Sequence, residues 1–160
     1  MTITWPELLG GGAILVADDM TLSRSVIARL LRVPGAPEVV EAGSAESALR
    51  QLNDPAGGRF RLLVSDFYMS GLNGLELIRQ VRAGTTRAPH DLRVILLTGE
   101  TDMAVIEVAR RLDVDAVLPK PVTQAQLNQA VEQVLSRLRA VGEPLRYVDA
   151  DMTPLAPLLE

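Results

Sequence analysis

Short apolar runs alternate along this chain with longer stretches in which apolar residues recur every three or four positions. The runs lie at residues 13–17 (AILVA), 38–42 (EVVEA), 61–65 (RLLVS), 92–97 (LRVILL) and 114–118 (VDAVL). Runs of this length, rich in Val, Ile and Leu and bounded by turn residues, predict five strands. The stretches between them predict helices. Leu22, Val26, Ile27 and Leu30 mark one over 20–32, capped by Asp19 or Thr21 and ended by Pro34, Gly35 and Pro37. Ala45, Ala48, Leu49 and Leu52 mark a second behind a Ser44 cap, and Leu75, Leu77, Ile78 and Val81 a third. Val105, Ile106, Ala109 and Leu112 mark a fourth. In the fifth, Thr123 and Gln126 form a capping box ahead of Leu127, Ala130, Val131, Val134, Leu135 and Leu138. Strand and helix in regular succession predict an α/β domain: a parallel sheet with right-handed crossovers and helices on both faces. The run at 38–42 is the weakest and belongs near an edge, because Glu38 and Glu41 flank its valines.

Several runs end on a polar residue. The first delivers Asp18 and Asp19, the third Asp66, the fourth Thr98, and the fifth leads through Pro119 to Lys120. In a parallel sheet all five side chains emerge at the carboxyl ends of the strands, where open α/β sheets place their sites. Asp66 is central, since the apolar strand runs straight into it and a glycine-rich turn follows (LLVSDFYMSGLNG, 62–74).

Composition narrows this picture. The chain of 160 residues has room for one domain with a core plus short appendages. Residues 1–12 are expected to form a leader, 13–140 the domain, and 141–160, which contain Pro144, Pro154 and Pro157, a linker or C-terminal arm. The start is not built like a signal peptide and no apolar run is long enough for a membrane span, so the expected location is cytoplasmic and away from membranes. The absence of cysteine excludes disulfides and thiolate metal sites. A net charge of −4 without a basic cluster argues against direct nucleic-acid contact. Of the 16 basic residues only Lys120 is lysine, so a compact, flexible point charge stands where the rest of the chain uses arginine.

Taken singly, an Asp or Thr after a strand is most simply a helix cap and a lysine is most simply solvated. Together at one rim they have chemistry. Asp18, Asp19 and Asp66 repel one another, which raises the pKa of at least one unless a cation intervenes. All-oxygen ligands with room for water suit Mg²⁺. A metal beside a carboxylate also suits phosphoryl transfer, with the carboxylate as nucleophile and Lys120 and Thr98 holding phosphoryl oxygens.

The combination resembles the receiver domain of two-component response regulators, over about residues 13–140. The resemblance rests on the Asp pair after strand one, Asp66 with Asn73 and Gly74 seven and eight residues on, Thr98 after strand four, and Lys120 followed by Pro121. It implies a flavodoxin-like five-stranded sheet of order 2-1-3-4-5. It implies Asp66 as phosphoacceptor, and Asp18, Asp19, Asp66 and the backbone carbonyl of Tyr68 around Mg²⁺, with Asp19 a direct ligand. Thr98 and Lys120 would contact the phosphoryl group, and the Lys120–Pro121 bond is similar to one that is cis in the family. The chain departs from the pattern at Ser70, where the family usually has Pro, at Val117, where an aromatic is common, and at Asp113, where Gly is common.

The implied function is a signalling switch phosphorylated by a sensor histidine kinase or phosphotransfer protein. Its output would be contact with a downstream protein or a homodimer, through the helix after the fourth strand, the fifth strand and the helix after that. As no output domain follows residue 140, the chain is expected to be a stand-alone receiver or part of a longer regulator. Tyr68 and Glu100 are expected to shield the phosphoryl group and slow self-dephosphorylation. Two other readings compete: a haloacid-dehalogenase-like phosphohydrolase, which wants an Asp where Met20 stands, and a receiver turned constitutive interaction module, for which Val117 speaks.

Overall fold

A computed structural model describes residues 5–99 and 103–159. Strands β1 (Ala13–Ala17), β2 (Val39–Ala42), β3 (Phe60–Asp66), β4 (Arg93–Thr98) and β5 (Ala116–Pro119) form one parallel sheet in the order β2-β1-β3-β4-β5. The flavodoxin-like order expected from the sequence is therefore the one observed. Helices α1 (Trp5–Leu8), α2 (Thr21–Leu31), α3 (Ala45–Asn53), α4 (Gly74–Arg82), α5 (Met103–Arg111), α6 (Gln124–Ser136) and α7 (Leu145–Val148) surround it.

Alternation along the strands divides the core in two, because successive side chains of a strand point to opposite faces. Ile14, Val16, Leu62, Val64, Ile95 and Leu97 pack with Ile27, Leu31, Leu127, Val131 and Val134 from α2 and α6. Leu15, Leu63, Val94 and Leu96 pack on the other face with residues of α3, α4 and α5. At the edges, β2 and β5 are only half-buried.

Two helical stripes differ from expectation. Leu22 and Val26 of α2 stay exposed, at 78% and 44%, while Ile27, Ala28 and Leu31 face the sheet. The inward arc is thus rotated from the one the spacing suggested, and small Ala28 supplies its middle. Helix α6 has the expected capping box at Thr123 and Gln126 but ends at Ser136, leaving Leu138 97% exposed. The chain leaves the helix there, and Arg139 grips Asp115 with Nε at 2.8 Å and Nη2 at 3.1 Å.

Both terminal segments pack on the domain. Trp5 and Leu9 are buried in the α2–α6 layer, and the Trp5 indole N–H donates to Asn128 Oδ1 at 3.1 Å. In the C-terminal segment Tyr147 and Leu155 are fully buried among the α3–α5 layer. The Tyr147 hydroxyl donates to Asp113 Oδ2 and accepts from the Gly142 N–H, both at 2.6 Å. Asp113 has φ 54°, a left-handed conformation that glycine adopts more easily. Its carboxylate gives the departure a purpose, for it anchors Tyr147 and pairs with Arg146.

At the amino-terminal end of the sheet, fully buried Arg82 ties α4 to the segments entering β4 and β5. Its guanidinium donates to the carbonyls of Leu112, His90, Leu92 and Asp113 at 2.7–2.9 Å and lies 3.7 Å from Asp115. Burial lowers its pKa, and the Asp115 charge opposes that.

Candidate phosphoacceptor site

At the opposite end, β1 and β3 carry the carboxylates and the β5–α6 loop carries the lysine. Ligand oxygens of Asp18, Asp19 and Asp66 lie within 4.8 Å of one another. The Lys120 ammonium stands 3.3 Å from Asp66 Oδ2 and 3.4 Å from Asp18 Oδ2. One cation thus faces two of the three acidic groups. Burial raises the pKa of Asp66, the Lys120 charge opposes the rise, and the Asp18 charge adds to it. The donor set is all oxygen and carries an excess of negative charge, so it fits a hard divalent cation such as Mg²⁺. A single lysine at more than 3 Å leaves that excess largely uncompensated.

Local folding explains how these groups are held. Asp18 turns back on its own loop, accepting from the Met20 N–H at 2.9 Å, while its carbonyl accepts from Arg24. The Phe67 N–H donates to Leu97 O at 2.9 Å, fixing the residue after Asp66 against β4. Asn73 caps α4 by accepting from the Glu76 N–H, and the Gly74 N–H donates to Phe67 O at 2.8 Å. A Cβ on Gly74 would stand 2.1 Å from the Asp66 carbonyl oxygen, so the helix can start this close to the acid only with glycine there. The Asn–Gly pair that follows Asp66 in sequence thus sets the turn that presents it.

Thr98 ends β4 as a buried residue, and its carbonyl accepts from the Lys120 N–H at 2.9 Å. The Lys120–Pro121 peptide is cis. Half-exposed Tyr68 sets its ring edge-on against Phe67, with centroids 4.6 Å apart. Val117 sits half-buried on β5, paired with Leu96. Glu100 lies outside the described residues. Met20 and Leu22 expose most of their apolar surface just after Asp19 in the chain.

Two further contacts of the site were not foreseen from sequence, although Ser70 stood out as a departure from the family pattern. Ser70 places both its N–H and its hydroxyl on Asp19 Oδ2, at 2.8 and 3.1 Å. Glu46 on α3 accepts from the Leu72 N–H at 3.2 Å, holding the same loop from its other side. The signal for Ser70 was its place in a position the resembled family fills with proline, which has no N–H to give.

The family model for the response regulator receiver domain matches residues 14–132. The chain belongs to the response regulator receiver family. It is 34% identical over 125 residues to the chemotaxis protein CheY of Pseudomonas aeruginosa, covering 78% of this chain and 97% of that protein. It is 31% identical over 125 residues to the chemotaxis protein CheY-3 of Vibrio cholerae, with 78% and 92% covered. A response regulator receiver domain protein of Clostridium thermocellum superposes with a TM-score of 0.69 at 28% identity, over 79% of this chain and 95% of that one. As a receiver, the chain is a phosphorylation-activated signalling domain and not a classical enzyme. The haloacid-dehalogenase and constitutive-module readings are not favoured. Receivers bind Mg²⁺ at an acidic pocket, and Asp18, Asp19 and Asp66 form an acidic cluster that could hold a metal ion. Among the described residues no helix is long and apolar enough to cross a membrane.

Proposed function

We propose that Asp66 accepts a phosphoryl group from a sensor histidine kinase or phosphotransfer protein in the cytoplasm, in a Mg²⁺-dependent reaction, and that the phosphorylated chain signals by protein contact. The observation that carries this is the Asp66 carboxylate, buried among two further carboxylates and faced by Lys120. A carboxylate oxygen attacks phosphorus, the bond from phosphorus to the donor breaks, and the donor leaves with that electron pair. Lys120 steadies an incoming phosphoryl oxygen, and the Thr98 hydroxyl supplies a second hydrogen bond from the end of β4. Asp18, Asp19, Asp66 and the Tyr68 carbonyl would hold the ion, whose contribution is to neutralise charge gathering on the transferred group.

Tyr68 and Glu100 are proposed to restrict the approach of hydrolytic water and so lengthen the life of the acyl phosphate. The apolar Met20 and Leu22 side chains beside the rim suit a protein donor. For output, α5, β5 and α6 remain the proposed face, with one refinement. Residues Thr153–Leu158 pack along α5, so a downstream partner or second copy meets this segment together with the helix.

Incubation with acetyl phosphate and Mg²⁺, followed by intact-mass measurement, tests the proposal. One phosphoryl adduct is expected, lost in chelator and in Asp66→Asn. An adduct formed equally in chelator, or at full yield in the variant, contradicts the assignment.

A further inference from the structure

Asp19 and Ser70 are 51 residues apart in the chain, on the β1–α2 and β3–α4 loops, yet two hydrogen bonds join them, both on the same carboxylate oxygen. A carboxylate oxygen has two lone pairs, so two donors at 2.8 and 3.1 Å occupy Oδ2 and leave Oδ1 as the basic oxygen. The side chain is thereby turned about its own axis and kept from swinging toward solvent, which matters because Asp19 is the half-exposed member of the acidic trio. Ser70 is itself held in place. The Leu72 N–H is bonded to Glu46, and Gly71 lies at φ 82°, in the left-handed region, with the Glu46 carboxylate beside it. The loop that presents Ser70 is thus pinned by α3 on one side and carries Asp19 on the other.

We infer that Ser70 is a positioning residue for the divalent cation, orienting the Asp19 carboxylate so that its free oxygen joins those of Asp18 and Asp66. This inference rests on the proposed metal site and assigns part of its affinity to a residue that does not touch the ion. Hydrogen bonds to a ligating carboxylate fix its orientation and commonly govern metal affinity. Proline at this position supplies neither donor, so the device belongs to this chain's serine.

The test is Mg²⁺ titration of the unphosphorylated full chain by heteronuclear NMR, following the amide signals around Asp18, Asp19 and Asp66. Ser70→Ala removes the hydroxyl and keeps the N–H, Ser70→Pro removes both donors, and Ser70→Thr keeps both. The dissociation constant is expected to rise about threefold in Ser70→Ala and about tenfold or more in Ser70→Pro, with Ser70→Thr close to the parent. Urea midpoints in chelator should stay close to the parent's for Ala and Thr, which separates orientation of a ligand from general loosening. If Ser70→Pro does not fold, the Ala and Thr variants decide the matter. Affinity that is unchanged or tighter in Ser70→Ala overturns the inference, since Ser70 would then be idle or would compete with the ion for Asp19. A parent that shows no saturable Mg²⁺ response overturns the metal site itself, a result distinct from a parent that binds and an alanine variant that binds equally well.

Discussion

Two charged clusters occupy opposite ends of the same sheet, and they are built on opposite terms. At the amino-terminal end, Arg82 is fully enclosed and gives hydrogen bonds to four backbone carbonyls, with Asp115 beside it. Asp115 is in turn held by Arg139 and by the Val94 N–H. At the carboxyl-terminal end, three carboxylates share one lysine that stands more than 3 Å from two of them. The first cluster spends its hydrogen-bonding capacity on the fold. The second leaves charge uncompensated, which suits it to receiving a cation or a phosphoryl group. The difference follows from residue type, because a planar guanidinium can satisfy several fixed carbonyls while a lysine acts as a movable point charge.

The largest effect that can break this comparison comes from Arg82→Met. Four backbone carbonyls, two buried and two part-buried, would lose their donor at once, and urea unfolding should show a loss of roughly 3–5 kcal/mol. A variant as stable as the parent would show that the lower cluster is not structural.

Tyr147→Phe should cost less, about 1–2 kcal/mol, by leaving the Asp113 carboxylate and the Gly142 N–H short of a partner. Burial raises the Tyr147 phenol above its ordinary value, and the bond to Asp113 adds to the rise. The folded protein therefore holds that proton more tightly than the unfolded chain. Its contribution is present below the ordinary tyrosine value and is lost as pH rises through the raised one. Near-ultraviolet absorbance of a Tyr68→Phe variant should show the remaining phenol ionising above the ordinary tyrosine value. Ionisation at or below the ordinary value would contradict the burial of Tyr147.

The smallest effect belongs to the rim. Asp66 is also held above its ordinary value, so its carboxyl favours the folded state at acid pH and loses that contribution as pH rises through the raised value. In chelator, Asp66→Asn should unfold within about 1 kcal/mol of the parent and gain on it as pH rises from acid to neutral. A large loss of stability at neutral pH would place Asp66 among the structural residues.

The two ends also differ in how far sequence revealed them. The rim was legible because strand periodicity predicts where each run ends, and Asp18, Asp19, Asp66, Thr98 and Lys120 all stand at such ends. The sheet order came with the family resemblance, which these residues carry. The lower cluster was not legible, since Arg82 looks like an ordinary basic residue in the last turn of a helix and nothing local shows four carbonyls converging on it. Trp5, Tyr147 and Leu155 escaped for a related reason, because isolated apolar residues among prolines and glycines have no period to betray the surface they cover. Leu22 and Leu138 erred the other way, apolar at helical spacing yet turned to solvent. Ser70 was visible as a departure, but its partner Asp19 became visible only in three dimensions.

The central claim is that Asp66, the buried carboxylate that ends β3 and faces Lys120, is the acid of the rim trio that takes the phosphoryl group. Treating the acetyl-phosphate product with borohydride reduces an acyl phosphate to an alcohol, and peptide mapping then locates the reduced residue. Reduction confined to position 66, and absent without Mg²⁺, is the predicted result. Reduction at position 18 or 19 instead, or a phosphoryl adduct that resists borohydride altogether, would contradict the account.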